Sequence, residues 1–215
     1  MMNTILLGLI AINVLVSMKG FNDLAFFRKN EFHVGAIRAG EKHRIFTSAF
    51  LHVDLAHLAF NLITLFFFAD VVISLLGGFT FLLIYAVSLV SGNLLALYFH
   101  KNDFNYRAVG ASGAVMGVLY SAILLRPEGE IYFIFFPFAG IPAYIFGVLY
   151  LLYSIYGMKS GRDNIGHDAH FGGAIGGYVF TLASVPELLT HNPLIVILLA
   201  VPIAILFVLA RTGKL

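Results

Sequence analysis

The chain has 215 residues, 60% of them hydrophobic and only 11% charged, with a formal net charge of +2 and no cysteine. A soluble domain carries roughly 25% charged residues, so a chain this apolar (mean hydropathy +0.93) is expected in a bilayer. The lack of cysteine excludes a disulfide framework, a thiol nucleophile and a cysteine–zinc site, and the small charge without a basic run argues against a nucleic-acid partner.

A spanning helix needs roughly 20 mostly apolar residues. On that ruler the first helix runs over about 3–18. The opening "MMNTILLGLIAINVLVSMKG" has no basic start and no clean small-residue cleavage site, so it reads as a retained helix rather than a signal peptide. Residues 19–52 form a long charged connection, but "LAFFRK" and "RIFTSAFL" within it are amphipathic and suit the membrane interface. Helices follow at about 53–76 and 79–99. The next, 112–125, is short for a full span and is expected to begin below the membrane surface. The loop before it must then be buried in protein or line a wet cavity. "IYFIFFPFAG" at 131–140 reads as an interfacial connector, with Pro142 in the first turn of a helix over 141–157. Two further helices are expected at 168–185 and 193–210, the last with a kink at Pro202. The expected fold class is an all-α polytopic membrane protein, a single membrane domain over 1–215. No internal repeat is evident, which weighs against a transporter built from two related halves.

Polar side chains within spanning helices are costly and mark function or packing. His57 and Asn61 in "HLAFN" are four apart and share a helix face, with His52 just before them. His167, Asp168 and His170 open the helix at 168–185. Interhelical hydrogen bonding, worth about 0.6–2 kcal/mol per contact, is one reading of the first pair. Interfacial placement or a shared cation is a reading of His167 and His170, though HExxH is absent. Ser112, in "RAVGASGAVMG", is either a helix N-cap or a nucleophile.

Glycine spacing ties these residues together. Gly173 and Gly177 form one small face, Gly172 and Gly176 a second, and Gly113 and Gly117 a matching one just after Ser112. Small faces let membrane helices approach closely. If they meet, Ser112 and His170 come together. Alternating helix directions put the starts of the second, fourth and sixth helices on one side, so His57 and Asn61 fall in the same layer. Such a layer has a hydroxyl, an imidazole base and donors for an oxyanion: the Asn61 amide, a His57 ring N–H and the Ser112 backbone N–H. Asp168 lies on a different helical face from His170, which suggests a dyad held by packing rather than by an acid.

"GASG" at 110–113, "HLAFN" at 57–61 and "AHFGGAIGG" at 169–177, on separate helices in this order, resemble the rhomboid intramembrane serine proteases; "HRIFTSAFLH" at 43–52 resembles that family's first loop. The resemblance covers roughly residues 38–185. It implies a six-helix core (about 1–185) plus one C-terminal helix (about 193–210), Ser112 as nucleophile, His170 as general base, His57 and Asn61 at the oxyanion site and Gly110 in the supporting loop. Gly113, Met116, Gly173 and Gly177 support the site. It further implies single-pass membrane proteins as substrates, the lipid bilayer as the other partner, and no metal or cofactor. Two positions depart from the family: His43-Arg44 stands where Trp-Arg is usual, and Met116 where an aromatic usually packs on the catalytic histidine. Against an active protease stand a non-catalytic relative that binds membrane segments and a small channel. About twelve Lys and Arg fall on the face to which Ser112 opens, against Arg126 alone on the other; the positive-inside rule makes the rich face cytoplasmic. Rhomboids similar to this one open to the extracytoplasmic side, and the reading follows them, with a bacterial inner membrane as the expected home.

Overall fold

A computed structural model describes residues 3–133, 136–161 and 165–215. Residues 134–135 of the expected connector, and 162–164 of the 158–167 loop with Arg162, lie outside them. Helix α1 (Thr4–Asn22) starts from Asn3, whose side chain accepts from the Ile5 N–H at 2.9 Å. It runs one turn beyond the expected end at 18. The long connection then folds into short pieces: α2 (Leu24–Asn30), strand β1 (Phe32–His33), α3 (Val34–Arg38), α4 (Arg44–Thr47) and a 3-10 turn, Ser48–Phe50. Asp23 caps α2 by accepting from the Phe26 N–H.

The expected solvated or interfacial loop is therefore an ordered platform. Its rivets are charged. Arg44 is buried and donates to the carbonyls of Arg28 (2.7 Å) and Glu31 (3.0 Å) and to the Glu41 carboxylate. Buried Glu31 accepts from Arg28 and Arg107. Charges are tolerated in such a place only when paired.

Helix α5 (Leu55–Phe99) contains two of the expected spans, with Asp54 as N-cap. Gly77, at φ 81° and ψ 161°, is where the chain turns between them, a backbone state that a residue with a Cβ adopts only with strain. Strand β2 (Arg107–Ala108) pairs antiparallel with β1. Helix α6 (Ser112–Leu125) follows, and every residue from Gly113 to Leu124 is buried. An apolar helix without a polar face belongs in the centre of a bundle. At 14 residues it is about 21 Å long.

The apolar stretch expected as a connector is a β-hairpin in its described parts, β3 (Glu130–Phe133) with β4 (Phe136–Pro142). The aromatic and β-branched residues there favour strand. Pro142 is the N-cap of α7 (Ala143–Ser160), one place before the expected first turn. Helix α8 (His167–Ser184), the short α9 (Leu188–His191) and α10 (Pro193–Arg211) complete the chain, with Pro193 at the first position of α10 and Pro202 inside it. Helices α1, α5 and α10 are long and apolar enough to cross a membrane. One apolar cluster joins α1, α5 and α6, and another joins α6, α7, α8 and α10. Helix α6 is common to both.

Candidate active site

Three helices meet at glycines. A Cβ on Gly173 would overlap the carbonyl oxygen of Gly113, and one on Gly177 the carbonyl oxygen of Gly117. On the other side of α8, a Cβ on Gly172 would lie 2.6 Å from the Ser91 carbonyl oxygen, and one on Gly92 2.6 Å from that of Ala169. Backbones this close leave room only for small side chains between α5, α6 and α8, such as Ser88 against Gly117 and Ser91 against Gly176. Deeper in, Thr181 of α8 donates to the Ser121 hydroxyl at 2.7 Å, and Ser121 donates to the Gly117 carbonyl at 2.9 Å. Hydrogen bonds here complement the small-residue packing.

This contact sets Ser112 at the mouth of α6 beside the first turn of α8. A Cβ on Gly113 would lie 3.0 Å from the Ala169 carbonyl oxygen, so the residue after Ser112 abuts the residue before His170. Ser112 is half-buried and His170 buried. Among the described residues no hydrogen bond runs between Ser112 and His170. The imidazole instead makes a 2.7 Å hydrogen bond through Nδ1 to the hydroxyl of Tyr150, on α7. The two rings lie 6.2 Å apart at 30°, and Phe146 flanks Tyr150. Tyr150 was not legible in the sequence as a site residue, since it is one of five tyrosines between 132 and 156 and carries no motif. Only the packing of α7 against α8 selects it.

His57 and Gly110 belong together. Gly110 has φ 131°, and a Cβ there would lie 2.8 and 2.9 Å from Cε1 and Nε2 of His57 and 3.8 Å from Ser112 Oγ. The glycine thus makes room for an imidazole beside the serine. Asn61 is buried one turn deeper, with its side-chain nitrogen donating to the His57 carbonyl at 3.0 Å. The first backbone N–H groups of α6 lie outside its helical ladder, as at any helix start. Met116 is buried in the apolar cluster that includes Phe171 and Ala174. Asp168 faces away from His170 and approaches Nε2 of His100 within 2.9 Å, while the His100 ring stacks on Tyr106. His167 packs edge-on to Tyr153 against Gly157, so both histidines of α8 face α7.

The platform holds the serine loop from below. The Gly110 N–H donates to the Ser48 carbonyl at 3.0 Å, and Asn93 of α5 donates to the Ile45 carbonyl at 2.6 Å. His52 is fully buried between Ser17 and the serine loop. The Ser17 hydroxyl spends its proton on the Phe50 carbonyl, so Nδ1 of His52 must be the donor to Ser17 Oγ at 2.8 Å. Nε2 is then an acceptor, and it takes the Ala111 N–H at 3.4 Å. Burial pushes His52 down to about 4, and His57 alongside adds to the shift while Asp54 opposes it.

The sign of the consequence is fixed. An unfolded chain takes up a proton near pH 6.5 that the folded protein refuses until about pH 4, so stability falls as pH drops through that window. We expect a loss on the order of 3 kcal/mol between pH 7 and 4 from this group. Denaturant midpoints measured across the window should fall steeply in the wild type and less in His52→Asn.

Comparison with known proteins matches residues 39–187 to the Rhomboid domain. The chain is similar to RHOMBOID-like protein 12, mitochondrial, of Arabidopsis thaliana, 29% identical over 189 residues that cover 79% of this chain and 55% of that protein. It is similar to Rhomboid protease GluP of Bacillus subtilis, 29% identical over 142 residues, 66% of this chain and 26% of GluP. The yeast Rhomboid protein 1, mitochondrial, of Saccharomyces cerevisiae is also 29% identical over 142 residues, 65% of this chain and 41% of that protein. The chain thus spans about half the length of the Arabidopsis relative and less of the other two. With the matched stretch running from the platform through the end of α8, the chain belongs to the rhomboid family and is a multi-pass integral membrane protein.

Proposed function

We propose that the protein is an intramembrane serine endopeptidase that cuts transmembrane segments of single-pass membrane proteins with a Ser112–His170 dyad. The observation that carries this reading is the glycine contact of α6 with α8, which brings the turn of Ser112 against the turn of His170. Ser112 Oγ attacks the scissile carbonyl carbon and its proton passes to Nε2 of His170. For that, Nδ1 must hold the ring's proton and donate it to Tyr150 Oη, which then stands where other serine hydrolases use a carboxylate. The oxyanion is met by the Ser112 N–H, the His57 ring and the Asn61 amide. When the C–N bond breaks, His170 returns its proton to the leaving amine, and water then hydrolyses the acyl-enzyme by the same relay.

The proposal includes a six-plus-one helix arrangement, one membrane domain with a core of about 1–185 and an added helix at about 193–210, and residence in a bacterial inner membrane. The named relatives include proteins of mitochondria and one of Bacillus subtilis. Gly110, Gly113, Gly173 and Gly177 act by close approach, and Met116 by packing.

A fluorophosphonate tests the nucleophile directly, because the serine oxygen displaces fluoride at phosphorus. The detergent-solubilised protein should be labelled at Ser112, and Ser112→Ala should take no label. A wild type that resists the probe yet still retains transmembrane peptides would favour the non-catalytic relative.

Tyr150→Phe keeps the ring and removes only the hydroxyl. We expect kcat to fall about tenfold to a hundredfold with KM nearly unchanged, as for a misoriented catalytic group. The acid limb of the kcat/KM profile should move as well, which a purely structural role would leave in place.

A further inference from the structure

We propose that a groove between the platform and the outer face of α5 is a binding site for an anionic phospholipid. The groove, about 460 Å³, is lined by Ile37, Arg38, Lys42, Ile45, Leu94 and Leu97. A second hollow of about 360 Å³ continues it along α5 past Val90, Val87 and Ala86, with Leu94 common to both. From Leu97 to Val87 the helix rises about 15 Å, half the roughly 30 Å hydrocarbon thickness of a bilayer. The groove therefore has the reach of an acyl chain within one leaflet.

Its charge is at the correct end. Arg38 and Lys42 stand beside Leu97, near the end of α5 at Phe99, and the apolar lining leads away from them into the bilayer. Arg38 is held in place: Nη1 donates to the Lys101 carbonyl at 2.6 Å, and the guanidinium lies 5.3 Å from the centre of the Phe104 ring. Lys101 adds an ammonium at the same corner, over Tyr98. No acid lines the groove, and neighbouring Glu41 is occupied by Arg44 at 2.8 Å.

Two cations above an apolar channel suit a phosphodiester with no positive group of its own. A zwitterionic headgroup brings an ammonium that Arg38 and Lys42 repel. Besides the two cations, the only polar side chain lining the channel among the described residues is Ser91, which already donates to the Ser88 carbonyl. An extended peptide backbone lying there would leave its N–H and C=O groups unsatisfied. Each basic side chain near a charged membrane surface is worth about fivefold in binding.

The test is native mass spectrometry of the full chain released from detergent micelles containing phosphatidylglycerol and phosphatidylcholine at equal concentration. The wild type should retain phosphatidylglycerol about tenfold more than phosphatidylcholine. Lys42→Gln should lower that preference about fivefold, and Leu94→Trp, which fills the channel, should remove the retained lipid. Arg38→Gln is less clean, because it also frees the Lys101 carbonyl. Equal retention of the two lipids by the wild type would overturn the proposal, as would an unchanged preference in both Lys42→Gln and Leu94→Trp. Neither readout involves peptide cleavage, so this failure and that of the peptidase reading are separate.

Discussion

His170→Ala is expected to abolish cleavage of a transmembrane substrate in proteoliposomes while the protein remains folded. General-base assistance contributes roughly 10²–10⁴ in rate, which places the variant near the floor of a cleavage assay. The structural loss is smaller. His170 gives up its hydrogen bond to half-buried Tyr150, and the net loss of one such bond costs about 0.5–1.5 kcal/mol. Thermal unfolding should therefore shift modestly and stay cooperative. Ser112→Ala should match the rate loss, and the double variant should be no slower than either single one, because groups that act as a unit are not additive. Cleavage that persists in either single variant, or losses that multiply in the double, would rule out the dyad.

Gly173→Val is expected to damage both folding and activity. The first carbon added at 173 would overlap the Gly113 carbonyl, with Gly113 Cα only 3.0 Å away, and both belong to backbone that cannot swing aside. Helices α6 and α8 must part. Overpacking typically costs 1–3 kcal/mol, occasionally more; here the strain falls between two main chains, so about 3 kcal/mol is expected. The parting also moves His170 relative to Ser112, and a displacement near 1 Å can cost about a hundredfold in rate. Gly8→Ala in α1 is the control: nothing lies within 4 Å of its added carbon, and alanine favours an exposed helix by about 0.5–1 kcal/mol. Unfolding midpoints and initial rates for the two variants should move in opposite directions or, for Gly8→Ala, not fall at all.

The glycine pattern was legible because it is periodic. Gly113, Gly117, Gly173 and Gly177 repeat at the four-residue step that aligns a helix face, and such faces pair by steric necessity. Spans such as α1 and α10 were legible from apolar length alone, and the turn at Gly77 falls in the break between the helices expected over 53–76 and 79–99. The platform was not. Arg44 and Glu31 look like solvated charges in a loop, and only the carbonyl ends of α2 and the distant Arg107 show why they are buried. The β-hairpin of β3 and β4 escaped notice because a short apolar run lacks a period that distinguishes strand from membrane connector. Tyr150 and His52 share one difficulty: their significance lies in partners 20 and 59 residues away, His170 and Ala111.

If the protein is the proposed peptidase, the brevity of α6 has a bearing on where its substrates are cut. A rod of about 21 Å in a slab of about 30 Å leaves several ångströms of leaflet unfilled at its ends, and Ser112 marks one of those ends. The peptide bond that reaches it need not travel to the middle of the bilayer. On that reading scissile bonds should cluster in the outer turns of a substrate helix, where unwinding a few residues exposes backbone near the headgroups and water rather than deep in hydrocarbon.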